Sequence, residues 1–146
     1  MNKEILSEQN IVLNQASESK MEAIERAGKL LLKGGYVTPK YIDGMREKES
    51  KFTTYIGNGI AIPHAVNEYK KEILESGIVL IQYPQGVDFG KGNTAYVVIG
   101  IAGKGDEHLN ILTKIALTVN DERNVERLRT AKSAAEVLSI IEEGML

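Results

Sequence analysis

The apolar positions of the chain change their period several times, and each change marks an element. Ile11, Val12 and Leu13 are consecutive and read as a short first strand. From Met21 the spacing becomes helical, with Met21, Ile24, Ala27 and Leu31 on one face. Ser19, with Glu22 three residues on, forms a capping box that opens this helix. Gly28 inside the pattern costs about 1 kcal/mol relative to alanine, and Gly34-Gly35 ends it. Thr38-Pro39 predicts a second helix, with proline in its first position and Tyr41, Ile42 and Met45 along one side. The charged stretch 46–54 (REKESKFTT) reads as a helix end running into a loop.

Beyond it, Tyr55-Ile56 leads into Gly57-Asn58-Gly59, a strong turn signal. Ile60, Ala61 and Ile62 make a brief strand that Pro63 ends or confines to a sheet edge. Gly77 to Tyr83 and Thr94 to Ala102 are apolar, β-branched runs suited to buried strands, and Pro84-Gln85-Gly86 reads as a turn after the first. Asp106 is placed to cap a long helix carrying Leu109, Leu112, Ile115, Ala116 and Val119. A short segment follows around Val125 and Leu128. Ser133 with Glu136 is a second capping box, opening a last helix through Val137, Leu138 and Ile141. No repeat, linker or low-complexity tract interrupts this order. The expected architecture is one α/β domain over 1–146, a mixed central β-sheet flanked by helices.

Composition narrows the chemistry. The net charge of -2 offers no electrostatic footprint for nucleic acid. The absence of cysteine excludes a disulfide framework, thiolate catalysis and cysteine-based zinc sites. The N-terminal MNKEILSEQN lacks the apolar core of a signal peptide, and runs such as Tyr96 to Ala102 fall far short of a membrane span. A cytoplasmic protein without membrane insertion is expected.

The chain holds two histidines, both beside turns. His64 follows Pro63 at the end of the brief strand, where proline restricts the backbone. His108 falls in the first turn of the helix behind Asp106, where unpaired N–H groups and the helix dipole favour an anion. Nothing pairs the histidines at the spacing of metal ligands, and no HExxH or Asp-rich loop accompanies them. Gly103-Lys104-Gly105 lacks the spacing of a phosphate-binding Walker loop, and no GxSxG or GxGxxG occurs. If phosphoryl chemistry takes place here, its donor is not ATP.

Thr54-Tyr55-Ile56-Gly57-Asn58-Gly59-Ile60-Ala61-Ile62-Pro63-His64 resembles the phosphorylation-site motif of the mannitol/fructose class of enzyme IIA domains of the bacterial phosphoenolpyruvate-dependent sugar phosphotransferase system. Lys33-Gly34-Gly35-Tyr36-Val37, Gln82 to Val87, Val98 to Ala102 and Glu107-His108-Leu109 resemble its mannitol branch, so the likeness runs from about Ile11 to Glu142. The resemblance implies a mixed sheet flanked by helices with the active site in a shallow depression at strand ends. It implies a phosphoryl carrier that accepts from the phosphohistidine of HPr and passes the group to a cysteine of its cognate enzyme IIB during mannitol uptake. The phosphorylated histidine falls on His64 and the second active-site histidine on His108. The scheme calls for no cofactor and no metal.

One position departs from the pattern. Many mannitol-type domains carry an arginine before the Thr-Tyr-Ile-Gly segment, and a gap-free count from Tyr55 puts Lys48 there, with Arg46 two residues earlier. Lysine keeps the charge but loses the bidentate grip on phosphate oxygens. Lys48 is the expected active-site cation and Arg46 its rival. Two other readings of the chain compete: a fructose-type or nitrogen-regulatory relative that signals through its phosphorylation state, and a binding module whose histidines are structural.

Overall fold

A computed structural model describes residues 4–145. The strands are β1 (Ile11–Val12), β2 (Tyr55–Gly57), β3 (Ile60–Ala61), β4 (Gly77–Asp88) and β5 (Thr94–Ala102). They form one mixed sheet in the order β1-β4-β5-β3-β2, in which β1 runs parallel to β4 and β3 parallel to β5. The remaining neighbours, β4 with β5 and β2 with β3, are antiparallel. The helices are α1 (Lys20–Lys33), α2 (Lys40–Lys51), α3 (Glu107–Asn120), α4 (Glu122–Thr130) and α5 (Ala134–Met145).

Both faces of the central strands are covered, which is why β4 and β5 read as continuous apolar runs. Val79, Ile81 and Val98 face α1 and α2, packing against Ile24, Ala27, Leu31 and Met45. The alternate residues Ile78, Leu80, Val97, Ile99 and Ile101 pack against Ile111, Ile115 and Leu128 of α3 and α4 and Val137 of α5. Burying each such aliphatic side chain contributes about 1.5–3 kcal/mol, so the two half-cores dominate stability.

The first capping box forms as expected: Glu22 N–H donates to Ser19 Oγ at 3.1 Å, and Ser19 N–H donates to Glu22 Oε1 at 3.0 Å. At the last helix, Glu136 N–H donates to Ser133 Oγ at 3.1 Å. The charged stretch 46–54 is a helix end running into a loop, as expected: α2 continues to Lys51 because Arg, Lys and Glu are good helix formers and the ion pair Lys51–Glu47 at 3.0 Å staples the last turn. Other local expectations need correction. Pro39 has helical dihedrals but precedes the first regular residue of α2. Pro84-Gln85-Gly86 is not the turn. Gln82 pairs with Val97 and Val87 with Ala95, so Tyr83 to Gly86 bulge opposite Tyr96 while the strand continues to Asp88. A bulge tolerates a proline that has no N–H for the ladder. The true turn is closed by Phe89 N–H donating to Asn93 O at 2.8 Å. Asp106 occupies the cap position of α3, but its side chain makes no capping bond. The segment around Val125 and Leu128 is the full helix α4. Among the described residues no helix is long and apolar enough to cross a membrane.

Candidate active site

The β2–β3 hairpin delivers His64. Gly57, Asn58 and Gly59 all have positive φ (103°, 52° and 78°), a tight reversal that two glycines make accessible. Gly59 N–H donates to the Tyr55 hydroxyl at 3.0 Å and closes the turn. Ile60 and Ala61 then pair in parallel with Val97 and Val98. Past Ala61 the chain stays tethered: Ile62 N–H donates to Thr54 O at 3.0 Å, and Ile101 N–H donates to Pro63 O at 3.0 Å. Ala65 N–H donates to the Tyr41 hydroxyl at 3.2 Å, and that hydroxyl donates to Ile101 O at 2.8 Å. His64 is therefore held on both sides.

Its ring is held as well. Nδ1 lies 2.7 Å from Ile62 O. A carbonyl only accepts, so in the neutral ring Nδ1 carries the proton and Nε2 keeps its lone pair. Burial lowers the His64 pKa below its ordinary 6.5, with the charges of His108 and Lys48 acting the same way, against the Ile62 bond and Glu49. A neutral imidazole with a free Nε2 is a nucleophile.

His108 arrives from the neighbouring strand. β5 ends at Ala102, and Gly103 lets the first turn of α3 fold back tightly: a Cβ on Gly103 would lie 2.3 Å from the His108 Cα. Ser76 Oγ donates to Glu107 Oε1 at 2.6 Å and accepts from Lys104 N–H at 2.9 Å, anchoring the helix start. The two imidazole centroids are 5.5 Å apart and tilted by 57°. Burial, followed by the charge of Lys70, lowers the His108 pKa below 6.5. Both rings are half-buried at the C-terminal ends of the parallel strands β3 and β5.

The rival cations separate clearly. Arg46 pairs with Asp43 at 2.8 Å and with Glu25 of α1 at 3.2 Å. Lys48 is half-buried, with Nζ 5.4 Å from the Phe52 ring centroid, and it is the cation of α2 whose charge reaches His64. Three further residues belong to the site and were not singled out in the sequence. Tyr41 reads there only as an apolar helix position, and Glu49 and Lys70 are hidden in charged runs. Glu49 Oε1 accepts from Thr54 N–H at 3.0 Å and from the Thr54 hydroxyl. Among the described residues no three His, Asp or Glu side chains converge as metal ligands would.

The structure thus brings together a histidine with one ring nitrogen free at strand ends, a second histidine at a helix N-terminus and a lysine of α2 whose charge reaches the first ring. The chain belongs to the family described as "Phosphoenolpyruvate-dependent sugar phosphotransferase system, EIIA 2", which matches residues 4–144. It is similar to the mannitol-specific phosphotransferase enzyme IIA component of Bacillus subtilis (strain 168), with 51% identity over 140 residues covering 96% of this chain and 98% of that protein. The crystal structure of IIA mannitol from Escherichia coli superposes with a TM-score of 0.86 at 41% identity, covering 93% of this chain and 98% of that one. The chain in the complex of enzyme IIAMTL and phosphorylated enzyme IIBMTL from Escherichia coli does so with a TM-score of 0.89 at 40% identity, covering 94% and 97%.

Proposed function

We propose that this chain is the mannitol IIA carrier, that Nε2 of His64 takes the phosphoryl group from the phosphohistidine of HPr, and that a cysteine of the cognate enzyme IIB receives it. The observation that supports this reading is the 2.7 Å bond from Nδ1–H to Ile62 O, which leaves the Nε2 lone pair free. As Nε2 bonds to phosphorus, the donor's P–N bond breaks and its electron pair returns to the donor imidazole. The ring proton stays on Nδ1, where the Ile62 carbonyl supports the cationic ring that forms. In the second step the cysteine thiolate attacks phosphorus and the electron pair returns to Nε2.

Such transfers depend mainly on positioning and charge stabilisation. A cation about 4 Å from the phosphoryl group contributes about 4 kcal/mol at an effective dielectric near 20. The N-terminus of α3 adds roughly 0.3–1 kcal/mol. Lys48 therefore outweighs the dipole, and His108 donates a hydrogen bond to the same oxygens. A half-exposed site suits a carrier because two proteins must reach one nitrogen in turn. HPr and the IIB domain of a permease meet such a carrier in the cytoplasm.

The test is phosphoenolpyruvate-dependent labelling with enzyme I and HPr, followed by transfer to a mannitol IIB. Wild type should take up an acid-labile phosphate and give it to IIB. His64→Ala should stay folded and take up none, and label on that variant at the wild-type level refutes the assignment. A regulatory relative would accept the label and fail the second transfer.

A further inference from the structure

Among the described residues Glu49 is the one charged side chain in the interior, 4% exposed. Burying a carboxylate is costly unless it is fully engaged, and the hydrogen bonds to this one all come from Thr54. Thr54 donates its N–H at 3.0 Å to Oε1 and at 3.2 Å to Oε2, and its hydroxyl also donates to Oε1. Lys20, at the start of α1, stands 3.9 Å away. Thr54 is in turn the residue whose carbonyl receives Ile62 N–H at 3.0 Å, and the Ile62 carbonyl receives the His64 ring at 2.7 Å.

We propose that Glu49 is a positioning residue for phosphoryl transfer: it grips Thr54, Thr54 grips Ile62, and Ile62 holds the His64 imidazole in the one tautomer that presents Nε2. This rests on the reading of His64 as the phosphoryl acceptor. The link is mechanical. Thr54 and Ile62 are each held at both N–H and C=O, so neither can shift without breaking a bond. Tyr41 of α2 fastens the chain beyond His64 through Ala65 N–H, and Glu49 fastens the chain before it, where the carbonyl that holds the ring lies. Glu49 touches no reacting atom, yet freeing Thr54 frees the carbonyl that selects the tautomer.

Glu49→Gln keeps the volume, removes the charge and places an amide donor where Oε2 now accepts at 3.2 Å from Thr54 N. Single-turnover transfer from phospho-HPr should slow roughly tenfold, the loss of one charge-assisted grip. Nitrogen NMR of the folded variant should show the Nε2–H tautomer of His64 appearing beside the Nδ1–H form that dominates in wild type. Thr54→Val should move both readouts in the same direction and decides the matter if Glu49→Gln does not fold, whereas Thr54→Ser should restore wild-type behaviour. An unchanged tautomer and rate in a folded variant overturn the proposal. Absence of phosphate on the wild-type protein would instead overturn the reading of His64 itself.

Discussion

Replacing Tyr41 with Phe removes one oxygen and tests how tightly the site is built. Tyr41 is 1% exposed, and its ring fills the space between α2 and the end of β5, which Phe fills equally well. The hydroxyl is what differs: it donates to Ile101 O at 2.8 Å and accepts from Ala65 N–H at 3.2 Å. Burial pushes its pKa up to about 12, so it remains a donor at every working pH. In the variant Ala65 N–H loses its acceptor beside His64. A half-buried donor stranded in this way costs about 1–2 kcal/mol. For a domain of this size that lowers Tm by roughly 3–6 °C. Part of the loss falls on the transition state, because the residue after His64 is no longer tethered. Each tenfold step in rate corresponds to about 1.4 kcal/mol, so transfer should slow by roughly three- to tenfold. Differential scanning calorimetry and quench-flow phosphorylation by phospho-HPr measure the two effects. A Tm within 1 °C or so of wild type, together with an unchanged rate, would refute the account of how His64 is held.

Further predictions follow the same geometry. His108→Ala should still accept phosphate from HPr but pass it on more slowly, because its ring, 5.5 Å from His64, is placed to stabilise charge on a phosphoryl group there; single-turnover transfer to IIB at the wild-type rate would contradict this. Lys48→Ala should slow transfer by roughly ten- to a hundredfold, whereas Arg46→Ala, whose guanidinium is engaged by Asp43 and Glu25, should do much less; the reverse order in a rate comparison would reassign the cation. Both histidines have folded pKa values below 6.5. The unfolded chain therefore binds more protons as pH drops through 6.5, so their contribution is full above that value and declines below it toward the lower folded pKa values. Calorimetry from neutral to mildly acidic pH should show this decline, flattened when both histidines are replaced, and superimposable profiles would argue against it.

The sequence by itself determined whatever depends on neighbours a few residues apart. The Ser19–Glu22 box closes within one helical turn, and its two hydrogen bonds appear as the residue types demand. The β4 and β5 runs announce strands buried on both faces because their apolar side chains do not alternate with polar ones. Gly57-Asn58-Gly59 and Pro63-His64 mark the hairpin and the end of its second strand for the same local reason. Tertiary structure decided the rest. Pro84 looks like a turn residue, and only pairing with β5 makes it part of a bulge within a continuing strand. The stretch 46–54 reads as a helix end, but charge does not set the residue where the helix stops, which the structure puts at Lys51. Arg46 and Lys48 carry the same charge two residues apart. Glu25 of α1 captures one of them, a partner that exists only once the two helices pack. His64 and His108 become neighbours because β3 and β5 run parallel and end at the same edge. Tyr41 and Glu49 join them because a hydroxyl and a carboxylate buried by that packing must find partners, and the backbone around His64 offers them.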